Sequence, residues 1–513
     1  MHRSGLLVLS FGLLTACSQS VSGTPDPLGS GGAAGSGGAT QPNTGGTSTG
    51  ATGGSTSLGG NTGSAMAGAT IGGNSATTTN GTRAGGTSAV GGSNATIGGN
   101  DSSGGTPNGG GQASSTGGAA TGGATACSDQ VGSLEPTYPF PQNYRSARCI
   151  YPISACSSDA RAAYEKWKQE LVVPAGSFHR VNRPDLEAGI VNSTVSEGIA
   201  YGMILAVFMD DQPLLDSLWR YSQQHLNSKG LMIWLLDSNG NPGIEGSGQP
   251  ASGSATDADE DMAWALALAA RKWGSSSSLG SYETIAVDLI GRIYANEADG
   301  RYDMLNAGDS WGTTFAWNPS YFAPNEYRVF AKLDTAHAEG WNKIIDKGYQ
   351  VLAASQNATS GLVPAWTDTN GNPAAAWSGG PTHYQYDAVR VPFRIALDYC
   401  EYGEPRAAAI LQKFTTFFAG IGADEIVDGY ALDGTPQPEH TSPEGVQSAL
   451  FVGAAGVGAM STTNATFVNA VYDRIVTQPD SMMLPVSYYY NLSWKVFTLL
   501  MMTGNMFEYS LHP

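Results

Sequence analysis

The chain has 513 residues and a formal net charge of −18, from 43 Asp and Glu against 25 Lys and Arg. So acidic a balance without basic clusters excludes a nucleic-acid-binding face and adhesion to anionic membranes, and it weighs against polyanionic substrates. Residues 1–126 balance Arg3 and Arg83 against Asp26 and Asp101, which leaves the excess negative charge on residues 127–513.

In chain order, "MHRSGLLVLSFGLLTAC" has a short basic start, an apolar run from Leu6 to Leu14, and Cys17. The run is too short to span a bilayer and reads as a secretion signal over residues 1–17. "LTAC" resembles the bacterial lipobox, which implies cleavage and lipid attachment at Cys17. The alternative is an ordinary cleaved signal followed by a stray cysteine. Residues 18–126 are Gly, Thr, Ser, Ala and Asn with few charges, too little apolar surface to offset the entropy of ordering. They are expected to be a disordered linker. "ATIGGN" recurs at 69–74 and 95–100, which in low-complexity sequence reads as expansion rather than a folded repeat. An exported enzyme lipid-anchored to the bacterial outer membrane or cell surface, held on a stalk, is the arrangement this predicts.

Residues 127–513 form the remaining domain. Cys127, Cys149, Cys156 and Cys400 are even in number, so one or two disulfides are expected, and Cys149–Cys156 would close a small loop. Helix-length apolar periodicity predicts roughly twelve helices, at 159–171, 196–208, 213–227, 257–273, 282–294, 321–332, 335–355, 391–402, 406–418, 445–458, 465–476 and 488–502. Two segments, "LMIWLLDSNGNP" and "LVPAWTDTNGNP", read as short extended runs ending in Asn-Gly turns. The expectation is an all-α domain of six helical hairpins arranged in a ring. The "DxNGN" stretches at 237–241 and 368–372 lack the terminal bidentate Glu of a calcium loop, and turn chemistry accounts for them. The scattered histidines offer no zinc site, and no metal or cofactor is expected.

Three carboxylates stand where a loop enters a helix. They are Glu197 in "TVSEGIAYGMILAV", Asp257 opening "TDADEDMAWALALAARKW", and Asp387 in "THYQYDAVRVPFRIALDY", where Pro392 suits the first helical turn. N-termini converging on one rim would build a cleft. Capping is the competing explanation: Thr194 to Glu197 and Asp257 with Glu260 each fit a capping box, and Asp387 could pair with Arg390 at the surface. Gly198 and Gly202 beside Glu197 are costly in a helix and suggest close packing or room for a ligand.

These motifs, "SEGIAYGM", "ATDADEDMAWALALAARKW", "WNPSYFAP" and "QYDAVRVPFRIA", resemble glycoside hydrolase family 8, from about Glu165 to the final "YYYNLSWKVFTLLMMTGNMF". Ala267 departs from the usual larger aliphatic or glycine. The resemblance implies an (α/α)6 barrel and an exported inverting hydrolase cutting internal β-1,4 linkages, an endoglucanase of cellulase type acting on cellulose-like or mixed-linkage glucans. It implies Glu197 as general acid, Asp387 as general base and Asp257 as the residue that positions and distorts the sugar. Asp259, Glu260 and Asp261 are then expected to be capping or surface-facing, with Asp259 a candidate buttress and Asp261, one turn on, able to share the face of Asp257.

Inversion requires one protonated and one ionised carboxyl about 6.5–9.5 Å apart. Desolvation and Asp257 are expected to keep the proton on Glu197 against the helix dipole, and Arg390 to keep Asp387 ionised. Sugar faces need aromatic platforms. Trp234, Trp311 and Tyr386 match the family's sugar subsites by resemblance, and Tyr321 and Arg390 join them as candidate substrate contacts. A monomer with a polysaccharide as its sole partner, touching the membrane only through its anchor, is the expectation. The alternatives are a xylanase, a chitosanase drawing its base from the loop of Glu439 and Glu444, or a non-catalytic glycan-binding protein.

Overall fold

The computed structural model describes residues 127, 137–184, 190–311, 316–377, 379–439, 447–477 and 488–509. The signal at 1–17 with Cys17, the linker at 18–126 and Glu444 lie outside the described residues. Among the described residues, no helix is long and apolar enough to cross a membrane.

Twelve α-helices occur among the described residues: α1 Ser157–Leu171, α2 Ser196–Phe208, α3 Gln212–Ser222, α4 Thr256–Trp273, α5 Tyr282–Glu297, α6 Pro324–Leu333, α7 Ala338–Ser355, α8 Val391–Tyr402, α9 Pro405–Ile421, α10 Ala449–Ala459, α11 Ala465–Thr477 and α12 Tyr488–Met502. Their composition sorts them into two rings. Every residue of α2 and of α10 is buried, and α4, α8 and α12 are buried nearly throughout. A helix apolar on all sides must be surrounded, whereas α3, α7 and α11 keep a solvent stripe. The even-numbered helices pack in the order α2, α4, α6, α8, α10, α12 and back to α2. Each odd-numbered helix leans on an inner neighbour, α1 on α12, α3 on α2, and so on to α11 on α10. This is an (α/α)6 barrel.

Most helix boundaries follow the sequence periodicity, and the exceptions have local causes. The helix expected from 321 begins at Pro324, because Pro319–Tyr321 forms a separate 3₁₀ turn in which Asn318 Oδ1 accepts from Ser320 N at 3.0 Å. The helix expected to 227 stops at Ser222, where the chain folds back and Ile233 N donates to His225 O. Both "DxNGN" stretches are side-chain-closed turns. Asp237 Oδ1 accepts from Asn239 N and Asn241 N, and Asp368 Oδ1 from Asn370 N and Asn372 N. Two disulfides form, and the small loop that Cys149 and Cys156 could have closed is not one of them. Cys149 pairs with Cys400 and Cys156 with Cys127, so both bridges span longer loops. Cys149 sits against α8, with Ser146 Oγ donating to Cys400 O beside it.

The glycines of α2 resolve in favour of close packing. A methyl on Gly202 would come within 2.6 Å of Leu218 Cδ1, and one on Gly198 within 3.1 Å of Tyr489 Cε2.

Candidate active site

The loops entering the inner helices are stitched to one another. Strand β3 (Thr194–Val195) pairs antiparallel with β4 (Leu235–Leu236), and the amide of Ser196 donates to Trp234 O at 2.9 Å. Trp234 N donates to Gly253 O, and Thr256 N to Ala307 O. Glu197 and Asp257 therefore enter α2 and α4 from adjoining loops, and Asp387 precedes α8 by one turn.

Neither capping box forms. The residues at the N-caps are Val195 and Ala255, and neither offers a side-chain cap. The side chains of Glu197 and Asp257 converge instead on Arg390. Its Nη1 donates to Glu197 Oε2 at 2.8 Å, to Asp257 Oδ2 at 2.6 Å and to Tyr201 OH at 3.1 Å, while its Nε donates to Ser320 Oγ at 3.1 Å. Arg390 lies over the Tyr321 ring, 5.2 Å from its centroid, and is 1% exposed. The competing explanation, a surface pair of Arg390 with Asp387, gives way to a buried clamp on the other two acids. The reason is geometric: as the N-cap residue of an inner helix, Arg390 projects toward α2 and α4.

Burial pushes the Glu197 carboxyl up, Arg390 pulls it down, nearby Asp257 pushes it up again, and the hydroxyls of Tyr489 and Tyr201 lower it. The net result is about 7. Tyr489 OH donates to Glu197 Oε1 at 2.9 Å. Glu197 can therefore hold a proton near neutral pH despite its place in a first helical turn.

Asp387 sits in different company. Its Oδ2 accepts from Gln385 Nε2 at 3.0 Å and Trp366 Nε1 at 3.3 Å, and its Oδ1 from Asn318 Nδ2 at 3.4 Å. Burial raises its pKa above the ordinary value, while Arg390, acting through space, and these donors pull it down. Donors to both oxygens favour the charged form that a base requires. One carboxyl inclined to keep its proton and another surrounded by N–H groups is the division of labour that acid–base hydrolysis needs.

Asp259, Glu260 and Asp261, expected at caps or the surface, are all buried because α4 belongs to the inner ring. Asp261 does lie one turn below Asp257, and its partner Arg394 lies one turn below Arg390. Arg394 Nη1 donates to Asp261 Oδ1 at 2.9 Å and Nη2 to Asp261 Oδ2 at 3.0 Å. Glu326 Oε1 accepts from the same Nη1 at 3.1 Å, and Glu260 Oε2 accepts from Tyr327 OH at 2.8 Å. Inner helices α4 and α8 are therefore joined by two rungs of charge. Asp259 lies against Glu297, whose Oε1 accepts from Ser254 Oγ at 2.6 Å, and burial pushes both acids up.

Among the expected aromatic contacts, Trp234 is largely buried and its indole donates to Glu245 Oε1 at 2.8 Å. Tyr386 is also buried, with its hydroxyl donating to Asp428 Oδ2 at 3.1 Å. Trp311 is half-buried and stacks on Trp366 at 5.9 Å between centroids. Glu439 is hydrogen-bonded to His383. The sequence reading missed Tyr201, Tyr489, Ser320, Asn318, Gln385 and Trp366. Tyr201 stands four residues after Glu197, on the same helical face, and could have been found that way. Tyr489 reaches the site from the far end of the chain and has no local signal. Among the described residues, no group of three His, Cys, Asp or Glu is placed to hold a metal.

Known proteins share this architecture. The apo structure of a beta-1,3-1,4-glucanase from Paenibacillus sp. X4 covers 73% of the chain and 100% of its own length, at 28% identity and a TM-score of 0.64. Endoglucanase 2 of Ruminiclostridium josui is 37% identical over 400 residues, covering 75% of this chain and 81% of its own. Endoglucanase A of Acetivibrio thermocellus is 38% identical over 351 residues, covering 67% of this chain and 69% of its own. The sequence profile described as "Glycosyl hydrolases family 8" spans residues 139–504, from before α1 to just past α12, and so takes in the whole barrel with its clamped acids. The chain is a glycoside hydrolase, and it belongs to family 8.

Proposed function

We propose that the protein is an inverting endo-β-1,4-glucanase acting on cellulose-type or mixed-linkage β-glucan. The observation that carries this reading is the difference in surroundings of two buried carboxyls: Glu197, raised to about 7 beside Asp257, and Asp387, also raised by burial but with three N–H donors on its oxygens that oppose the rise. In the mechanism, Glu197 gives its proton to the glycosidic oxygen as that bond breaks. Asp387 takes a proton from a water that attacks the anomeric carbon from the opposite face, and the new hydroxyl has inverted configuration. Glu197 is left ionised and Asp387 protonated, and exchange with solvent resets both. Asp257, held by the same Arg390 nitrogen as Glu197, positions the sugar at the cleaved bond. Of the expected aromatic contacts, Trp311 keeps a partly exposed ring to offer a neighbouring sugar, whereas Trp234, Tyr386 and Tyr321 are buried.

The glucan substrate rests on relatives named endoglucanase at 36–38% identity. A reducing-end xylose-releasing exo-oligoxylanase from Bifidobacterium adolescentis is 26% identical and supports the xylan alternative less strongly. Glu439, the described acid of the chitosanase alternative, is hydrogen-bonded to His383. The test is reducing-end release on a soluble cellulose derivative, mixed-linkage glucan, xylan and chitosan in parallel. The glucans should be cut. Turnover confined to xylan or chitosan would replace the substrate, and none at all would favour a glycan-binding protein.

The same proposal extends to location. Cys17 carries the lipid, residues 18–126 act as a stalk, and a monomeric catalytic domain of residues 127–513 works outside the membrane. Cys17→Ser should release the protein from the membrane fraction, and retention there would contradict the anchor.

A further inference from the structure

A second apolar cluster stands apart from the barrel core. Tyr321, Trp366, Ala307, Ala316 and Ala365 form it, with Trp311 and Trp377 packed against its edge. Trp366 is fully buried and gives its indole N–H to Asp387, so the cluster adjoins the base. The two outer tryptophans remain partly exposed. Trp311 stacks on Trp366, while Trp377 meets Trp366 at 76° with centroids 6.1 Å apart.

Trp377 is built in place by its own loop. Thr367 bridges Trp317 on one side and Pro373 on the other, and Ala374 N donates to Trp366 O at 3.0 Å. Gly380 N then donates to Trp377 O at 2.9 Å, folding the chain back over the indole. A Cβ on Gly380 would lie 3.0 Å from both Cδ2 and Cε2 of Trp377. Those are the two carbons where the rings fuse, and they can be approached together only from the ring face. Glycine is needed there because the backbone lies directly against the indole. A large, partly exposed ring already packed between Trp366 and the backbone at Gly380 loses little freedom when a ligand stacks on it.

We propose that Trp377 is a further glycan platform, taking a β-linked pyranose unit on the Asp387 side of the cleft, beyond the sugars that flank the cleaved bond. It rests on the glucanase reading for the identity of that sugar. All-equatorial pyranoses present axial C–H groups on both faces, and these suit an aromatic ring. Trp377 then sets how strongly long chains are held and where they sit.

The test is steady-state kinetics of wild type, W377A and W377F on β-1,4-gluco-oligosaccharides of increasing length. For W377A, KM should rise about tenfold on the longest chains, the size expected for losing one ring contact, and the effect should shrink as the substrate shortens. W377F, which keeps a ring, should recover most of the loss. No change at any length overturns the proposal. So does an equal loss at every length, which would mean that Trp377 acts only through Trp366 and Asp387. If wild type cuts xylo-oligosaccharides instead, the glucanase reading fails by itself, and the same length series on those substrates still decides the role of Trp377.

Discussion

Arg390 Nη1 lies 2.8 Å from Glu197 Oε2 and 2.6 Å from Asp257 Oδ2, so one nitrogen fixes the proposed acid and the proposed sugar-positioning residue against each other. The arrangement moderates two opposing influences, since burial and Asp257 favour the protonated acid and Arg390 opposes them. Replacing Arg390 with Met should lower kcat by about 10²–10³-fold, the range for losing one preorganised electrostatic group. The alkaline limb of the pH–rate profile should also move up from its wild-type position near 7, because the opposing charge is gone. An unmoved limb would show that it does not report Glu197.

Tyr489 acts on the same carboxyl by a hydrogen bond that favours ionisation, and Gly198 leaves room for its ring. Tyr489→Phe should therefore shift the alkaline limb upward, in the same direction as the Arg390 variant but by less. Gly198→Ala should reproduce that shift by pushing the ring aside, with thermal stability little changed. If Gly198→Ala left the profile untouched while Tyr489→Phe moved it, the crowding at Gly198 would be without functional consequence.

Buried acids also set the pH dependence of stability. Glu197 and Glu297 each titrate near 7 in the folded chain against an ordinary 4.5, so the folded state binds more protons in that window. Their contribution to stability is fully present below 4.5 and is lost as pH rises through 7. Glu297→Gln, which imitates the protonated form, should be more stable than wild type at pH 8 by up to about 3 kcal/mol and should show almost no gain at pH 4. Urea unfolding at the two pH values measures this.

The lower rung of charge has a structural role. Removing Arg394 would leave Asp261, Glu260 and Glu326 buried around a missing cation. Arg394→Met should cost about 3–5 kcal/mol, the range for breaking a buried ion pair by removing one partner. A smaller loss in denaturant unfolding would mean that the three carboxyls accommodate one another by protonation.

The ring of helices was legible because inner and outer helices differ in composition. The all-round apolar runs of α2 and α10 and the striped runs of α3 and α11 carry their positions in their sequences. The three acids were legible because each stands at a helix entrance. What sequence could not show was which way side chains turn once the helices close into a ring. Asp259 to Asp261 have the pattern of solvent-facing first-turn acids, yet the N-terminal part of α4, from Thr256 to Leu266, is buried on every side. Arg390 has the spacing of a surface partner for Asp387, yet it points across the barrel. The pairings of Cys149 with Cys400 and of Tyr489 with Glu197 join distant parts of the chain, and nothing local encodes them.

The anomeric configuration of the first product tests the central claim most directly. Hydrolysis of a soluble β-glucan oligosaccharide followed by proton NMR, before mutarotation equilibrates the new reducing end, reports it. If Glu197 donates the proton while Asp387 activates water from the opposite face, the α-anomer appears first and the β-anomer grows in only by mutarotation. Initial formation of the β-anomer would show retention, and the assignment of acid and base to these two carboxyls would be wrong.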